Sequence, residues 1–202
     1  MAKLKGPLFS LGATQQLGKA LVYFGWKGLD LVREYVIPAN PRTTLQVTQR
    51  GYLSDAVEAI HTAQADATNP LDEADVVAYG LWASVVQAAT TWFNQAVRNF
   101  IDVLVAGNLP CVCSAGELDN TTAGQLDAEV YLWEATCTAG VFRWGTSKTA
   151  LINSETATIT TQTAAATISG LTAGVKYFVQ FVADVGDPCE GAKSGIYTGY
   201  AT

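Results

Sequence analysis

The hydrophobic pattern of this chain changes its period at residue 111, and this change constrains the fold more than any other feature of the sequence. Between residues 44 and 107, apolar side chains recur every three or four positions, which is typical of helices packed on one face. From residue 111 onward they alternate, which is typical of half-buried β-strands. The sequence therefore predicts two domains, residues 1–108 and residues 109–202.

A β-hairpin is predicted before the first helix. Residues 18–38 are rich in Val, Tyr, Phe and Trp, and Lys27 with Gly28 are the expected tip of the hairpin. Pro38 and Pro41 end the extended structure, because proline has no N–H for a β-ladder. An isolated hairpin is marginally stable in water, so we expect this one to pack on its own helices or on a neighbouring molecule.

The apolar pattern of residues 44–65 predicts a first helix. Leu53, Val57 and Ile60 fall on one face of this segment at helical spacing, and they are the expected contact with the core. Gly51 is the weak point of the helix, because glycine disfavours helical structure.

A second, longer helix is predicted from the signals at its two ends. Asn69 is the expected N-cap, Pro70 the first helical residue, and Gly107 the stop. Residues 76–97 carry no charge over a bilayer-sized length. Polar side chains nevertheless form a stripe there at helical spacing, so we interpret the segment as an amphipathic helix packed on protein and expect no membrane partner.

The composition narrows the choice of partners. Charged residues make up 15% of the chain and the net charge is −6. Nucleic-acid binding is not expected, because it requires a basic surface that neutralises phosphates. A low charge fraction favours a surface that neighbouring copies cover, so we predict a homo-oligomer.

The sequence contains no recognisable catalytic set. His61 is the single histidine, and no motif of hydrolases, metalloproteases or phosphate-binding loops accompanies it. We interpret Asp72, Glu73 and Asp75 as helix-start charges rather than metal ligands. We therefore expect no enzymatic activity, no cofactor and no metal.

The segment 168–183 carries a Leu-x-x-Gly-x-x-Tyr spacing at Leu171, Gly174 and Tyr177, followed by alternating apolar residues. It resembles the tyrosine corner of fibronectin type III domains, and the run FRWGTS resembles strand C of that family. The resemblance covers about residues 112–202 and implies an immunoglobulin-like sandwich. The expected fold class is α+β, with an N-terminal hairpin and helices followed by an all-β fibronectin type III-like sandwich.

The same resemblance implies that the four cysteines meet at one pole of the sandwich. These residues are Cys111, Cys113, Cys137 and Cys189. One alternative is a disulfide between Cys137 and Cys189, with Cys111 or Cys113 bonded to another thiol or to a neighbouring subunit. A zinc site of four thiolates and four reduced, buried thiols are the others. We favour disulfides, because the C-x-C spacing is unusual for structural zinc, and disulfides imply an oxidising environment.

Residues 18–50 resemble a segment of phage and prophage proteins. The shared elements are W-K-G and R-x-Y-V-x-P-A-N-P-R-T, formed here by Trp26, Lys27, Gly28, Arg33, Tyr35, Val36, Pro38, Ala39, Asn40, Pro41, Arg42 and Thr43. The resemblance implies a structural protein of a virion, in capsid, neck or tail, whose partners are other virion proteins and copies of itself. The expected assembly contacts are Trp26, Lys27, Arg33, Tyr35 and Arg42.

An adhesive module is the alternative function. In that case the loops of the sandwich would bind glycan or a host surface, with Trp144 and Tyr197 as exposed aromatic contacts. An enzyme ranks third, because its chemistry would have to involve His61 or residues that no motif marks.

Overall fold

The computed structural model describes residues 2–3, 15–37, 39–40, 42–86 and 91–202. These residues form three α-helices and three antiparallel four-stranded sheets, which confirms a mixed α+β fold. The chain divides into two compact units, Met1–Thr43 and Thr44–Thr202. This division differs from the predicted boundary after residue 108, because buried side chains of the helices and of the following sheets belong to shared clusters.

The first unit is a small sheet with the strand order β1-β4-β3-β2. Its strands are β1 Ala2–Lys3, β2 Gln15–Leu17, β3 Leu21–Trp26 and β4 Leu29–Glu34. Trp26 lies opposite Leu29, and Lys27 and Gly28 form the turn with φ values of 51° and 74°. Both values are positive, as tight two-residue hairpin turns require. The predicted hairpin and its tip are confirmed, whereas Pro38 and Pro41 lie outside the described residues.

The second unit begins with three helices: α1 Thr44–Ala65, α2 Glu73–Val86 and α3 Trp92–Ala106. The bounds of α1 agree with the prediction, and Ile60 is buried as predicted, but the rest of the buried face differs. Ala56, Ile60 and Ala63 are buried, whereas Leu53 is 49% exposed. The small side chains of Ala56 and Ala63 allow a close approach to the rest of the core, and a pattern of large apolar residues does not mark them. None of the described helices is long and apolar enough to cross a membrane.

The prediction of one long second helix is wrong. Two helices, α2 and α3, occupy this part of the chain, and residues 87–90 between them lie outside the described residues. Thr91 has extended backbone and its hydroxyl accepts a hydrogen bond from the N–H of Asn94 at 3.3 Å, so it caps α3. Gly107 ends α3 in the left-handed conformation, as predicted.

The predicted start of α2 is also wrong by three residues. Asp72, rather than Asn69, is the N-cap, because its Oδ1 accepts hydrogen bonds from the N–H groups of Ala74 at 2.9 Å and Asp75 at 3.1 Å. This contact supports the interpretation of Asp72 as a helix-start charge.

Two further sheets complete the second unit, with the strand orders β5-β6-β10-β9 and β12-β11-β7-β8. Their strands are β5 Cys113–Asp119, β6 Gln125–Leu132, β7 Gly140–Gly145, β8 Asn153–Thr156, β9 Thr158–Thr160, β10 Thr163–Ser169, β11 Lys176–Ala183 and β12 Tyr197–Tyr200. The predicted alternation is confirmed in β6, where Val130 and Leu132 are buried. The hydroxyl of Tyr177 accepts a hydrogen bond from the N–H of Thr172 at 3.0 Å, as expected of a tyrosine corner.

The helices and sheets of the second unit are in close contact. A Cβ added to Gly195 would lie 2.6 Å from backbone and side-chain atoms of Ala78 in α2. The N–H of Ile196 donates to the carbonyl of Ala78 at 3.0 Å. Such an approach of a helix to the segment before β12 is possible only where one partner has no side chain.

Candidate functional site

The four cysteines lie together in the second unit, as predicted. All four side chains belong to one buried cluster, and the Sγ atoms of Cys137 and Cys189 lie within 4.8 Å of each other. The Cys111 thiol neighbours those of Cys113 and Cys137. We call these four residues the thiol cluster. All four are buried and all four are free thiols in this structure, so the predicted disulfides stay a prediction.

Loop geometry explains the convergence. Cys113 opens β5, Cys137 lies between β6 and β7, and Cys189 lies between β11 and β12. The N–H of Asp184 donates to the carbonyl of Ala139 at 3.1 Å, which joins the last two connections. Three separate parts of the chain therefore supply sulfur atoms to one end of the two sheets.

Asp187 holds the two cysteine-bearing loops in register. Its Oδ2 accepts hydrogen bonds from the N–H and hydroxyl of Thr138 and from the N–H of Ala139, at 2.9, 3.0 and 2.9 Å. Its Oδ1 accepts from the N–H of Cys189 at 2.8 Å. Burial raises the pKa of Asp187, but these hydrogen bonds outweigh it and the net pKa is below the usual value.

The residues that follow α3 hydrogen-bond to the Cys189 loop. The N–H of Leu109 donates to the carbonyl of Pro188 at 2.9 Å. The side-chain amide of Asn108 donates to the carbonyl of Glu190 at 3.0 Å. The loop is thus fixed on both sides of Cys189, and the position of its sulfur is well determined.

The arrangement offers two kinds of chemistry. Neighbouring thiols can be oxidised to a disulfide, and the Sγ atoms of Cys137 and Cys189 with a carboxylate oxygen of Asp187 lie within 4.8 Å of one another, as a metal site requires. The hydrogen bonds already made by Asp187 argue against its use as a metal ligand. The Cys137 pKa is raised by its contact with Cys111 and by burial, and the Cys189 pKa chiefly by burial, so both groups are protonated thiols at neutral pH.

The predicted assembly contacts lie at the surface of the first unit. The side chains of Trp26, Lys27, Arg33 and Arg42 are exposed, and that of Tyr35 is half-buried. The Lys27 ammonium lies 5.0 Å from the centre of the Trp26 ring. These side chains are therefore available to a partner molecule.

The structure corrects the predicted surface aromatics of the second unit. Tyr197 is only 7% exposed, and Trp144 is half-buried with its ring 5.8 Å from that of Tyr177. Tyr197 is held inside because its ring packs on Gly116 and its hydroxyl donates to Asp75 at 2.6 Å. The adhesive function therefore loses Tyr197 as an expected contact, and Trp144 offers a partner only part of its ring.

Asp75 is predicted to be a helix-start charge, and its Oδ2 does accept a hydrogen bond from the N–H of Asp72 at 3.1 Å. The side chain is also buried and makes contacts outside α2 that the sequence does not predict. Its Oδ1 accepts from Tyr197 and from the N–H of Gly116 at 3.1 Å, and its Oδ2 accepts from the N–H of Ala115 at 2.8 Å. Ala115 and Gly116 lie where β5 shifts its register against β6, and this shift turns their N–H groups toward the helix. Asp75 therefore joins α2 to the β-sheets. Burial raises its pKa in spite of these bonds.

His61 lies on the exposed side of α1, in an open groove. The residues that line this groove belong to α1 or directly follow it, and include Arg50, Leu53 and Glu58. Its ring is 6.1 Å from that of Phe93. Ser54, Thr62 and Asp66 also line this groove, which is open to solvent along the helix.

Comparisons with protein-family models, with curated proteins and with solved structures find no match to this chain.

Proposed function

We propose that this chain is a structural component of a bacteriophage virion, in capsid, neck or tail. The first unit assembles with copies of the chain and with other virion proteins, and the second unit projects from the particle or braces its neighbours. The second unit has an immunoglobulin-like, fibronectin type III-like fold. The resemblance of residues 18–50 to phage proteins supports the virion assignment.

The main support for assembly through the first unit is its exposed apolar surface. Leu31 is the one buried hydrophobic residue among its described side chains. Leu17, Trp26, Leu29 and Ile37 are exposed there instead. A small sheet without a core is marginally stable, so contact with other molecules is the most direct source of its stability.

The distribution of charge supports contacts between copies. Residues 1–43 contain six basic and two acidic side chains, whereas residues 44–202 contain six basic and sixteen acidic ones. A basic unit of one copy and an acidic unit of another attract each other, and this attraction weakens in salt. A head-to-tail contact of this kind can repeat along a ring or a tube.

The strand orders support the assignment of an immunoglobulin-like, fibronectin type III-like fold to the second unit. In the notation of that family, β5-β6-β10-β9 corresponds to A-B-E-D, and β12-β11-β7-β8 corresponds to G-F-C-C′. The hydrogen bond of Tyr177 to Thr172 adds the corner that the family resemblance implies.

The experiment is a measurement of self-association by light scattering over a range of concentration. Trp26→Ala is the test variant and Tyr200→Ala the matched control, because the two rings are 55% and 57% exposed. We expect Trp26→Ala to weaken association by about tenfold or more and Tyr200→Ala to leave it unchanged. Equal association of all three proteins, or a wild-type monomer at every concentration, would contradict the proposal.

A further inference from the structure

We propose that Cys137 and Cys189 form a disulfide when the chain folds under oxidising conditions, and that Cys111 and Cys113 stay reduced. This inference concerns the second unit alone and does not rest on the virion function. It selects one pairing from those that the sequence leaves open.

The contacts within the thiol cluster favour this pairing. The Sγ atoms of Cys137 and Cys189 and a carboxylate oxygen of Asp187 lie within 4.8 Å of one another, and Cys111 lies outside this group. The hydrogen bonds of Asp187 join the loops of Cys137 and Cys189 and do not include Cys111, so a bond between Cys111 and Cys137 has no such support. A bond between Cys111 and Cys113 would close a strained ring across a single residue.

The surrounding hydrogen bonds bring the two chosen cysteines together before any bond forms. Asp187 bonds the residues that follow Cys137 and the N–H of Cys189, so one carboxylate fixes both loops. The two Sγ atoms already lie within 4.8 Å of each other, so we expect the disulfide to form without the large backbone movement that strains many added disulfides.

The chemistry balances with a small disulfide such as oxidised glutathione as the oxidant. One thiolate attacks the small disulfide and releases one small thiol, and the second cysteine then displaces the other. One S–S bond breaks and one forms, the two protein thiols lose two hydrogens, and the oxidant becomes two thiols. No metal or further co-reactant takes part.

The bond should form during folding rather than afterwards. Cys137 and Cys189 are 3% and 0% exposed in the folded chain, so an oxidant has little access to them. Their raised pKa values leave little of the reactive thiolate at neutral pH. The folded, reduced protein should therefore resist oxidation, while refolding in the presence of oxidised glutathione should yield the bond.

The test starts with the reduced full chain, refolded with oxidised and reduced glutathione in the presence of a chelator. Remaining thiols are alkylated, and the protein is cleaved after Lys, Arg and Glu. The cleavage separates residues 99–117, which hold Cys111 and Cys113, from residues 135–143 and 177–190, which hold one cysteine each. We expect residues 135–143 linked to residues 177–190, and two alkylated cysteines in residues 99–117.

Two variants and a melting experiment complete the test. Cys189→Ser should abolish the link, and Cys111→Ser should preserve it. The oxidised wild type should melt roughly 10 °C above the reduced wild type, because the bond closes a loop of about 50 residues. Cys189→Ser should show no such difference, and the wild-type comparison needs no variant that might fold poorly.

Three results would overturn the inference. The first is a link from residues 99–117 to either of the other peptides. The second is alkylation of all four cysteines after oxidative refolding. The third is stoichiometric zinc with four free thiols in protein refolded without chelator, because a metal site would then be the role of the thiol cluster.

Discussion

The two units of this chain bury their apolar side chains to very different extents. In the second unit, two clusters of buried residues link the helices with both sheets, and the contact between Gly195 and Ala78 leaves no room for a Cβ at Gly195. In the first unit, the described side chains leave Leu17, Trp26 and Leu29 exposed around a single buried Leu31. The second unit therefore contains the source of its own stability, and we infer that the first takes its stability from neighbours.

Separating the units should have the largest effect. We expect a fragment of residues 44–202 to unfold cooperatively, within a few degrees of the full chain, because both buried clusters lie inside it. A fragment of residues 1–43 should show no cooperative transition, because a small sheet with so little buried surface is marginal. Thermal unfolding followed by circular dichroism measures both. A cooperative melt of the short fragment would remove the difference between the units.

Filling the contact between α2 and the segment before β12 should have the next largest effect. Gly195→Ala should destabilise the second unit by about 3 kcal/mol, because the new Cβ would meet the backbone of Ala78 and Tyr79. Gly51→Ala is the control, because a Cβ at Gly51 of α1 meets nothing within 4 Å. It should stabilise by roughly 0.5 to 1 kcal/mol. Equilibrium unfolding in denaturant measures the free energy of unfolding of both variants. A small effect of Gly195→Ala would mean that the helices pack loosely.

Removing the charge of Asp187 should have a smaller effect that depends on pH. Asp187→Asn should destabilise the protein by about 2 kcal/mol at pH 7, because the carboxylate accepts four hydrogen bonds. The pKa of Asp187 is lowered from 3.8, so its contribution is present above pH 3.8 and is lost as the pH falls through the folded-state pKa. The difference between variant and wild type should therefore narrow in acid.

Asp75 provides the opposite trend as a control. Its pKa is raised from 3.8, so its contribution is greatest below pH 3.8 and decreases as the pH rises through the folded-state pKa. The difference between Asp75→Asn and wild type should therefore be widest in acid. Unfolding free energies at several pH values test both carboxylates, and parallel curves for the two variants would contradict the assigned shifts.

The smallest expected effect is that of Trp26→Ala on the stability of the isolated chain. The Trp26 ring is exposed in the first unit, so its removal should change the unfolding free energy of the second unit by less than about 0.5 kcal/mol. The same variant is expected to weaken association, and the contrast separates a contact between molecules from one within the fold. A large loss of stability would place Trp26 in the fold instead.

Much of the secondary structure of this fold could be predicted from the period of the hydrophobic pattern. Alternation located β6, β7, β10, β11 and β12, and the turn at Lys27 and Gly28 followed from residue types that tolerate its backbone. The short strands β8 and β9 were not predicted, because Ser and Thr there give no apolar alternation. The break between α2 and α3 was missed because apolar residues continue through it and a single Thr91 marks the restart.

The candidate site was predictable only in part. The strand order that the family resemblance implies predicts that Cys111, Cys137 and Cys189 lie close together, because strand order determines which loops share an end of the sheets. The role of Asp75 was not predictable, because its partners Ala115 and Gly116 depend on a shift of strand register that no local pattern marks. The burial of Tyr197 was missed for the same reason.

The measurement that tests the central claim most directly is the molecular mass in solution of the full chain beside that of the 44–202 fragment, as a function of concentration. We predict that the full chain forms oligomers and that the fragment stays monomeric, since the exposed apolar sheet lies in residues 1–43. A monomeric full chain, or a fragment that associates as strongly as the full chain, would contradict the assignment of assembly to the first unit.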